Sequence, residues 1–436
     1  MRFLLSSISG ESPVFRLRAS RRSALFFVAA LLIGSFAAQD ALFASIRAIA
    51  PSALPATPPP DLGVPISLED PGGHALDRFH EALGRAAAYH GQARVIWWGA
   101  SHTAPDRYVG LVRRALQARF GDAGPGFVVP VRPFAGYETS TARISWHGAW
   151  RTLRGDRMAE GEAYGFAGFA VESLMAGATG ALDTRGARWG ERPVGSYDVA
   201  FLRQPNGGRF EVRIDDRAAA VVDTQGELGA GHARFRVRDA AHRIEVRVLD
   251  DAPVRIFGVS MERDRSGVVV DTAGIPGSRA RSHLRWDDAT YRAEVRRRRP
   301  DLVVLAYGTN ESEDASVPTR RYESDLARVV RRLHQTVPEA SCLLVGPSDR
   351  PIGEPGGAWA PRPLTREVIA VQRRVAARAG CAFFDLSAFM GGEMSMMDWV
   401  AHDPPFALPD HIHFTPEGHA RLAEVMTAAL LEGYGP

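Results

Sequence analysis

The sequence contains no lysine: all 53 basic residues other than histidine are arginine. Schiff-base catalysis and the Walker-A phosphate loop both need a lysine, so both classes are excluded. Asparagine is nearly as scarce, occurring only at Asn206 and Asn310. The two cysteines, Cys342 and Cys381, are too few for a disulfide framework or a four-cysteine zinc site. Each opens a predicted strand. An oxidising compartment permits one bridge between them, but a bridge requires Cα atoms ~4.4–6.8 Å apart, so two buried free thiols are the expectation. The formal net charge is only +3. That excludes a strong nucleic-acid footprint. No cluster has metal-ligand spacing, so neither a metal nor an organic cofactor is expected.

What is present is an ordinary globular composition, 45% apolar and 24% charged, sufficient for a sizeable core. Arg16, Arg18, Arg21 and Arg22 precede the apolar run SALFFVAALLIGSFAA. Basic residues stay cytoplasmic, so this pattern places the rest of the chain outside the cytoplasm, in the periplasm or cell envelope. Residues 1–50 therefore read as a basic segment followed by a membrane anchor or a cleaved signal, with the uncleaved anchor favoured. Residues 51–69 are rich in proline and read as a semi-rigid linker.

From residue 70 to 154 the pattern is helix, strand, turn, helix. The strand over 94–98 runs into Gly99-Ala100-Ser101-His102, and Val109, Val112, Leu116 and Phe120 form one helical face. Residues 155–265 change to short alternating runs such as RFEVRID and HRIEVRVLD, which predict a β-sandwich. Its aromatics Tyr164, Phe166, Phe169, Trp189 and Tyr197 read as core rather than as a sugar platform. Strands then alternate with helices over 266–436, with strands at 301–307, CLLVGP and CAFFDL and helices at 322–337 and 363–379. That alternation predicts an α/β domain with a doubly wound parallel sheet, into which the sandwich is inserted.

In such sheets ligands bind beyond the carboxyl ends of the strands. Ser101 lies there, suited either to capping a helix or to acting as a nucleophile whose oxyanion backbone N–H groups stabilise. Asn310 follows the strand at 301–307 and suits either a turn or an amide donor to an oxyanion. Asp410-His411-Ile412-His413 offers a carboxylate and an imidazole three residues apart, the pair a serine nucleophile requires. His411 is less suited than His413, because Asp410 is adjacent to it. Asp403, His402 and His419 read as surface or helix-capping groups.

The blocks GASHTA, GIPGS, YGTN and DHIH, in that order, resemble the SGNH (GDSL-like) hydrolase superfamily over roughly residues 92–431. The resemblance implies a flavodoxin-like SGNH fold and a serine esterase. Ser101 would be the nucleophile, His413 the base and Asp410 its partner. The oxyanion hole would comprise the N–H groups of Ser101 and Gly277, with Gly274 as the alternative glycine, and the Asn310 amide. Where the family usually has Gly-Asp-Ser, this chain has Ala100, and the aspartate's supporting hydrogen bonds are lost. The β-insertion between the serine and glycine blocks is similar to that of bacterial peptidoglycan O-acetylesterases, where it resembles a carbohydrate-binding module. The resemblance thus implies an O-acetylesterase acting on peptidoglycan or another acetylated polysaccharide through an acetyl-serine. The alternatives are a polysaccharide O-acetyltransferase or a catalytically weak carbohydrate-binding envelope protein.

Overall fold

The computed structural model describes residues 65–157 and 161–435. The N-terminal arginine cluster and apolar run lie outside these residues. Among the described residues no helix is long and apolar enough to cross a membrane.

The chain opens with helix α1 (Asp77–Ala87), strand β1 (Gln92–Gly99) and helix α2 (Tyr108–Phe120). Eleven strands follow that belong to antiparallel sheets: β2 (Gly126–Val128), β3 (Arg143–His147), β4 (Arg151–Arg154), β5 (Phe169–Ser173), β6 (Thr179–Asp183) and β7 (Val194–Arg203), then β8 (Arg209–Ile214), β9 (Arg217–Asp223), β10 (Gly229–Ala240), β11 (Arg243–Val248) and β12 (Val254–Glu262). Strand β13 (Gly267–Gly274) returns to the α/β portion, followed by α3 (Asp288–Arg298), β14 (Leu302–Ala306), α4 (Thr319–Thr336) and β15 (Ser341–Val345). A small hairpin, β16 (Ile352–Gly353) and β17 (Trp359–Ala360), precedes α5 (Pro363–Ala379) and β18 (Ala382–Phe384). Helices α6 (Leu386–Met390), α7 (Ser395–Ala401) and α8 (Pro416–Leu431) complete the chain.

The central sheet has the order β13-β1-β14-β15-β18, and every pairing in it is parallel. Its strands are apolar on both faces, as a sheet covered on both sides requires. In β1, Val95 and Trp97 join one core cluster while Ile96 and Trp98 join the other. Leu302 and Val304 of β14 likewise face opposite to Val303 and Leu305. This is the two-residue alternation of a strand, with a core on each side.

Two antiparallel sheets, β10-β7-β12-β5-β4 with β2 added on β12, and β3-β6-β11-β8-β9, form the insertion. Phe201 of β7 and Phe210 of β8 pack edge to face at 5.3 Å, so the two sheets share one core. That core is continuous with one face of the parallel sheet through Trp98, Phe166 and Phe257. The antiparallel region begins before residue 155, since β2, β3 and β4 already belong to it. Tyr164, Phe166, Phe169 and Tyr197 are buried. Trp189 is half-buried between two guanidinium groups, Arg114 and Arg188.

Two other features depart from the sequence reading. Residues 65–69 are docked: Glu69 exchanges backbone hydrogen bonds with Phe383 at the edge of the parallel sheet. The cysteines are also joined, as a Cys342–Cys381 disulfide rather than two free thiols. Strands β15 and β18 are neighbours, and Leu343 pairs with Ala382. That register brings the preceding cysteines to a Cα separation of 4.6 Å, within bridging range. His334 Nε2 lies 3.8 Å from Cys381 Sγ. These three are the one group among the described residues close enough to share a metal ion, and the disulfide occupies both sulfurs.

Candidate active site

Sheet register assembles the site. Gly99, the last residue of β1, pairs with Gly274 of β13 on one side and Ala306 of β14 on the other. Three strands therefore end side by side, and the loops after them (100–105, 275–278 and 307–311) emerge together. Ile275 N–H donates to Gly99 O at 3.0 Å, tying the first two. Close approach dictates glycine at two of these ends. A Cβ on Gly99 would lie 2.1 Å from Thr103 Oγ1, and one on Gly274 would lie 2.3 Å from Ala104 N.

Ser101 does not cap a helix. Residues 101–105 form turns, and α2 starts only at Tyr108. Pro105 and the left-handed Asp106 (φ 52°) delay it. The Ser101 hydroxyl donates instead to His413 Nε2 at 3.0 Å. The other ring nitrogen, Nδ1, donates to Asp410 Oδ2 at 2.6 Å. Because Nδ1 carries the proton, Nε2 is the free acceptor facing the serine. Asp410 Oδ1 accepts the backbone N–H groups of Ile412 (2.9 Å) and His413 (3.0 Å), so the loop binds its own carboxylate. Partial burial alone would push the Asp410 carboxyl up. The His413 ring and these N–H groups outweigh it and hold the carboxyl at about 2. His411 has a left-handed backbone (φ 55°), and its ring stacks on Trp359 at 4.0 Å, away from this relay.

Gly277 occupies the third position of a turn in which Ser278 N–H donates to Ile275 O at 3.0 Å, and its φ is +79°. Pro276 before it and glycine at that φ define a type II turn. Gly274 is the last residue of β13 and serves close packing. Asn310 donates one amide N–H to Ser278 O at 2.9 Å. Its second amide hydrogen is left for another acceptor.

Four groups at the site were not assigned from the sequence. His102, beside the serine, donates from Nε2 to Ile412 O at 2.9 Å, linking the serine loop to the histidine loop. Its ring packs on Phe414 at 4.6 Å and His413 at 5.6 Å. Burial and the neighbouring His413 push its pKa down to about 3. Glu311 accepts from Ala280 N–H (2.8 Å) and Gly308 N–H (2.9 Å), clamping the glycine-block and asparagine-block loops together. Burial pushes its carboxyl up, and those N–H groups pull the other way. Asp106 is buried against the Arg113 guanidinium and also accepts from Ser140 and Thr272. Arg154, from β4, reaches Pro276 O at 2.7 Å. Adjacency to Ser101 and Asn310 could have flagged His102 and Glu311. Nothing in the sequence marks Arg154.

His402 is half-buried, with Nδ1 turned to Pro404 O. Asp403 is exposed. His419 is not a surface group: it is buried, stacked on Tyr108 and near His102. Ala100 is buried, beside a cavity of about 20 Å³ lined in part by Thr103, Tyr307 and Thr309.

Residues 213–421 match the GDSL-like Lipase/Acylhydrolase family. The match spans Gly277, Asn310, Asp410 and His413 and stops short of Ser101, which the register of β1 brings to them. A solved peptidoglycan O-acetylesterase structure matches with a TM-score of 0.70 at 24% identity, covering 84% of this chain and 99% of that one. A family two carbohydrate esterase from Cellvibrio japonicus (13% identity, 67% and 99% covered, TM-score 0.27) and an acetyl xylan esterase (19%, 37% and 81%, 0.29) also match. A search of curated proteins finds no match. With the family match and the five-stranded parallel sheet together, residues 213–421 carry the matched part of a GDSL-like lipase/acylhydrolase domain of the SGNH fold, the domain of a carboxylic ester hydrolase.

Proposed function

We propose that this protein is an extracytoplasmic acetylesterase that removes O-acetyl groups from peptidoglycan or another acetylated polysaccharide through an acetyl-serine. The observation that carries the reading is the continuous Ser101–His413–Asp410 hydrogen-bond relay, with contacts of 3.0 and 2.6 Å. In the first half-reaction, Ser101 Oγ attacks the acetyl carbonyl carbon while His413 Nε2 takes the hydroxyl proton. The tetrahedral oxyanion is met by the N–H groups of Ser101 and Gly277 and the free amide N–H of Asn310. Collapse breaks the ester C–O bond, and His413 returns the proton to the departing sugar oxygen. In the second half-reaction, water attacks the acetyl-serine with His413 again as base, releasing acetate and restoring Ser101.

The polysaccharide assignment is supported by the likeness in fold to a peptidoglycan O-acetylesterase and by the large antiparallel insertion against the hydrolase sheet. The compartment is supported by the basic-then-apolar N-terminal sequence and by the disulfide, which persists in oxidising environments. Ser101→Ala should keep the fold and lose turnover by as much as ~10⁶-fold on a chromogenic acetyl ester. Near-normal turnover in that variant overturns the triad. Acetate release from O-acetylated peptidoglycan, compared with acetylated xylan, tests the substrate. Acetyl transfer to an added sugar in place of acetate release would favour the transferase alternative.

A further inference from the structure

The Pro276–Gly277 peptide bond has two ends. Its N–H, on Gly277, is an oxyanion donor in the function proposed above. Its carbonyl, on Pro276, accepts a hydrogen bond from Arg154 Nη2 at 2.7 Å. Arg154 lies on β4, in the inserted antiparallel region, 122 residues away in sequence. In a trans peptide the C=O and N–H point in opposite directions, so whatever fixes one fixes the other.

The orientation of this peptide is not fixed by the turn alone. Type I and type II turns close the same four residues but differ by a rotation of the central peptide, which carries its N–H to the opposite face. Gly277 at φ +79° places the turn in the type II state, and no atom would lie within 4 Å of an added Cβ there. Packing around the glycine therefore does little to hold the peptide, and the hydrogen bond at its carbonyl does more.

Arg154 is built to hold still. Its guanidinium makes a two-point contact with Asp156, Nε to Oδ1 at 3.0 Å and Nη2 to Oδ2 at 2.8 Å. The guanidinium carbon lies 5.2 Å from the centroid of the Phe134 ring, which packs edge to face on Phe169 of β5. The side chain is only 13% exposed. A charged donor on the carbonyl also polarises the amide, strengthening the N–H at the other end as a donor.

We infer that Arg154 is a positioning residue for ester hydrolysis, by which the β-insertion holds the Pro276–Gly277 peptide in the orientation that presents the Gly277 N–H to the oxyanion. This rests on the oxyanion reading of Gly277. The Arg154 guanidinium bonds Asp156 and Pro276 O rather than Ser101, Asp410 or His413.

The test uses the purified full chain with Arg154→Met, Arg154→Lys, Gly277→Ala and the double variant Arg154→Met/Gly277→Ala. Turnover is normalised to folded protein by active-site titration and circular dichroism. Arg154→Met should lower kcat about 10- to 100-fold, less than the ~10²–10³-fold loss of a whole donor. KM should stay within about twofold and the pH profile keep its shape. Arg154→Lys, which can still donate to the carbonyl, should recover part of the loss. The double variant should be no slower than Gly277→Ala alone, because both act on one peptide. The inference is overturned if Arg154→Met keeps its kcat per folded molecule, or if the two losses multiply. If Gly277→Ala itself turns over normally, the oxyanion reading fails and takes this inference with it. If Gly277→Ala is slow and Arg154→Met is not, the inference alone fails.

Discussion

Replacing Asp410 by asparagine tests the relay at the point where geometry and charge separate. Asp410 Oδ1 accepts two backbone N–H groups, at 2.9 and 3.0 Å, so the asparagine carbonyl oxygen will take that place. Its NH₂ then faces His413 Nδ1, where Oδ2 sat at 2.6 Å. Two donors cannot share that contact, so the ring proton moves to Nε2. Nε2, 3.0 Å from Ser101 Oγ, becomes a donor and cannot accept the serine proton. The loop geometry survives while the base is in the wrong tautomer, a change that costs about 10⁴-fold in kcat in a well-characterised serine protease. The stability cost should be small. The carboxyl is held at about 2, but Asp410 is exposed and solvent screens the interaction, leaving on the order of 1 kcal/mol or less. Turnover of a chromogenic acetyl ester at neutral pH, alongside a thermal melt, measures both. A folded Asp410→Asn variant with kcat within tenfold of the parent would refute the tautomer argument.

Stability should peak near pH 6.5 to 7. His283 and His419 are buried and held neutral far below their ordinary value, by burial first and by nearby positive groups second, and half-buried His102 adds a weaker contribution. Below pH ~6.5 the unfolded chain binds protons that the native state refuses, so stability falls by up to about 1.4 kcal/mol per pH unit for each fully buried histidine. His232 acts oppositely: burial would lower its pKa, but Asp198 and Glu294 overcome this and raise it to about 9. Its stabilisation is present below pH ~6.5 and lost between 6.5 and 9, and urea unfolding that is flat from pH 5 to 9 would contradict both signs. Thiol titration of the unfolded, unreduced protein should find no free thiol. Reduction of the bridge, whose cysteines are 39 residues apart, should cost ~3–4 kcal/mol by the chain-entropy account, whereas two free thiols would restore the expectation from sequence. Ala100→Asp should lower the melting temperature without raising kcat, because the new carboxylate enters a buried position next to a cavity of only about 20 Å³. A clear gain in kcat would mean that the parent site is impaired.

The α/β portion was legible because its signals are local. Helix α5 spans the residues its apolar spacing predicts, Pro363–Ala379. The strands of the central sheet are continuous apolar runs bounded by turn residues. The strands between 126 and 183 were not legible. Strand β5, Phe169–Ser173, is buried at every position and so shows no alternation, while β3, Arg143–His147, is a mostly exposed sheet edge whose apolar face is only Ile144 and Trp146. Their pairing is set by partners distant in sequence, such as Arg151 opposite Glu172 and Arg143 opposite Asp183. The Ser101–His413–Asp410 hydrogen-bond relay was legible because Asp410 and His413 are three residues apart and one loop carries both. Arg154 was not, because one arginine among 53 basic residues carries no signal and its acceptor is a main-chain carbonyl.

These tethers bear on how the site does without the aspartate whose place Ala100 takes. Three contacts brace the site's loops. His102, next to Ser101, bonds the carbonyl of Ile412, next to His413. Asp106 anchors the exit of the serine loop, held by Arg113 from α2, by Thr272 from β13 and by Ser140 from the segment leading to β3. Glu311 joins the loops that carry Gly277 and Asn310, the other two proposed oxyanion donors. Two further bonds come from the insertion, Arg154 to Pro276 O and Phe166 O to the indole N–H of Trp98 at the end of β1. Each is a buried or half-buried polar contact whose loss leaves a partner unsatisfied, so each constrains geometry more strongly than its net contribution to stability indicates. The insertion thus braces the glycine turn and the strand leading to the nucleophile directly, and the loop after Ser101 through Ser140. Its continuity with the core of the parallel sheet follows from that: a module that only gathered substrate would need neither the shared core nor an arginine on the Pro276–Gly277 turn.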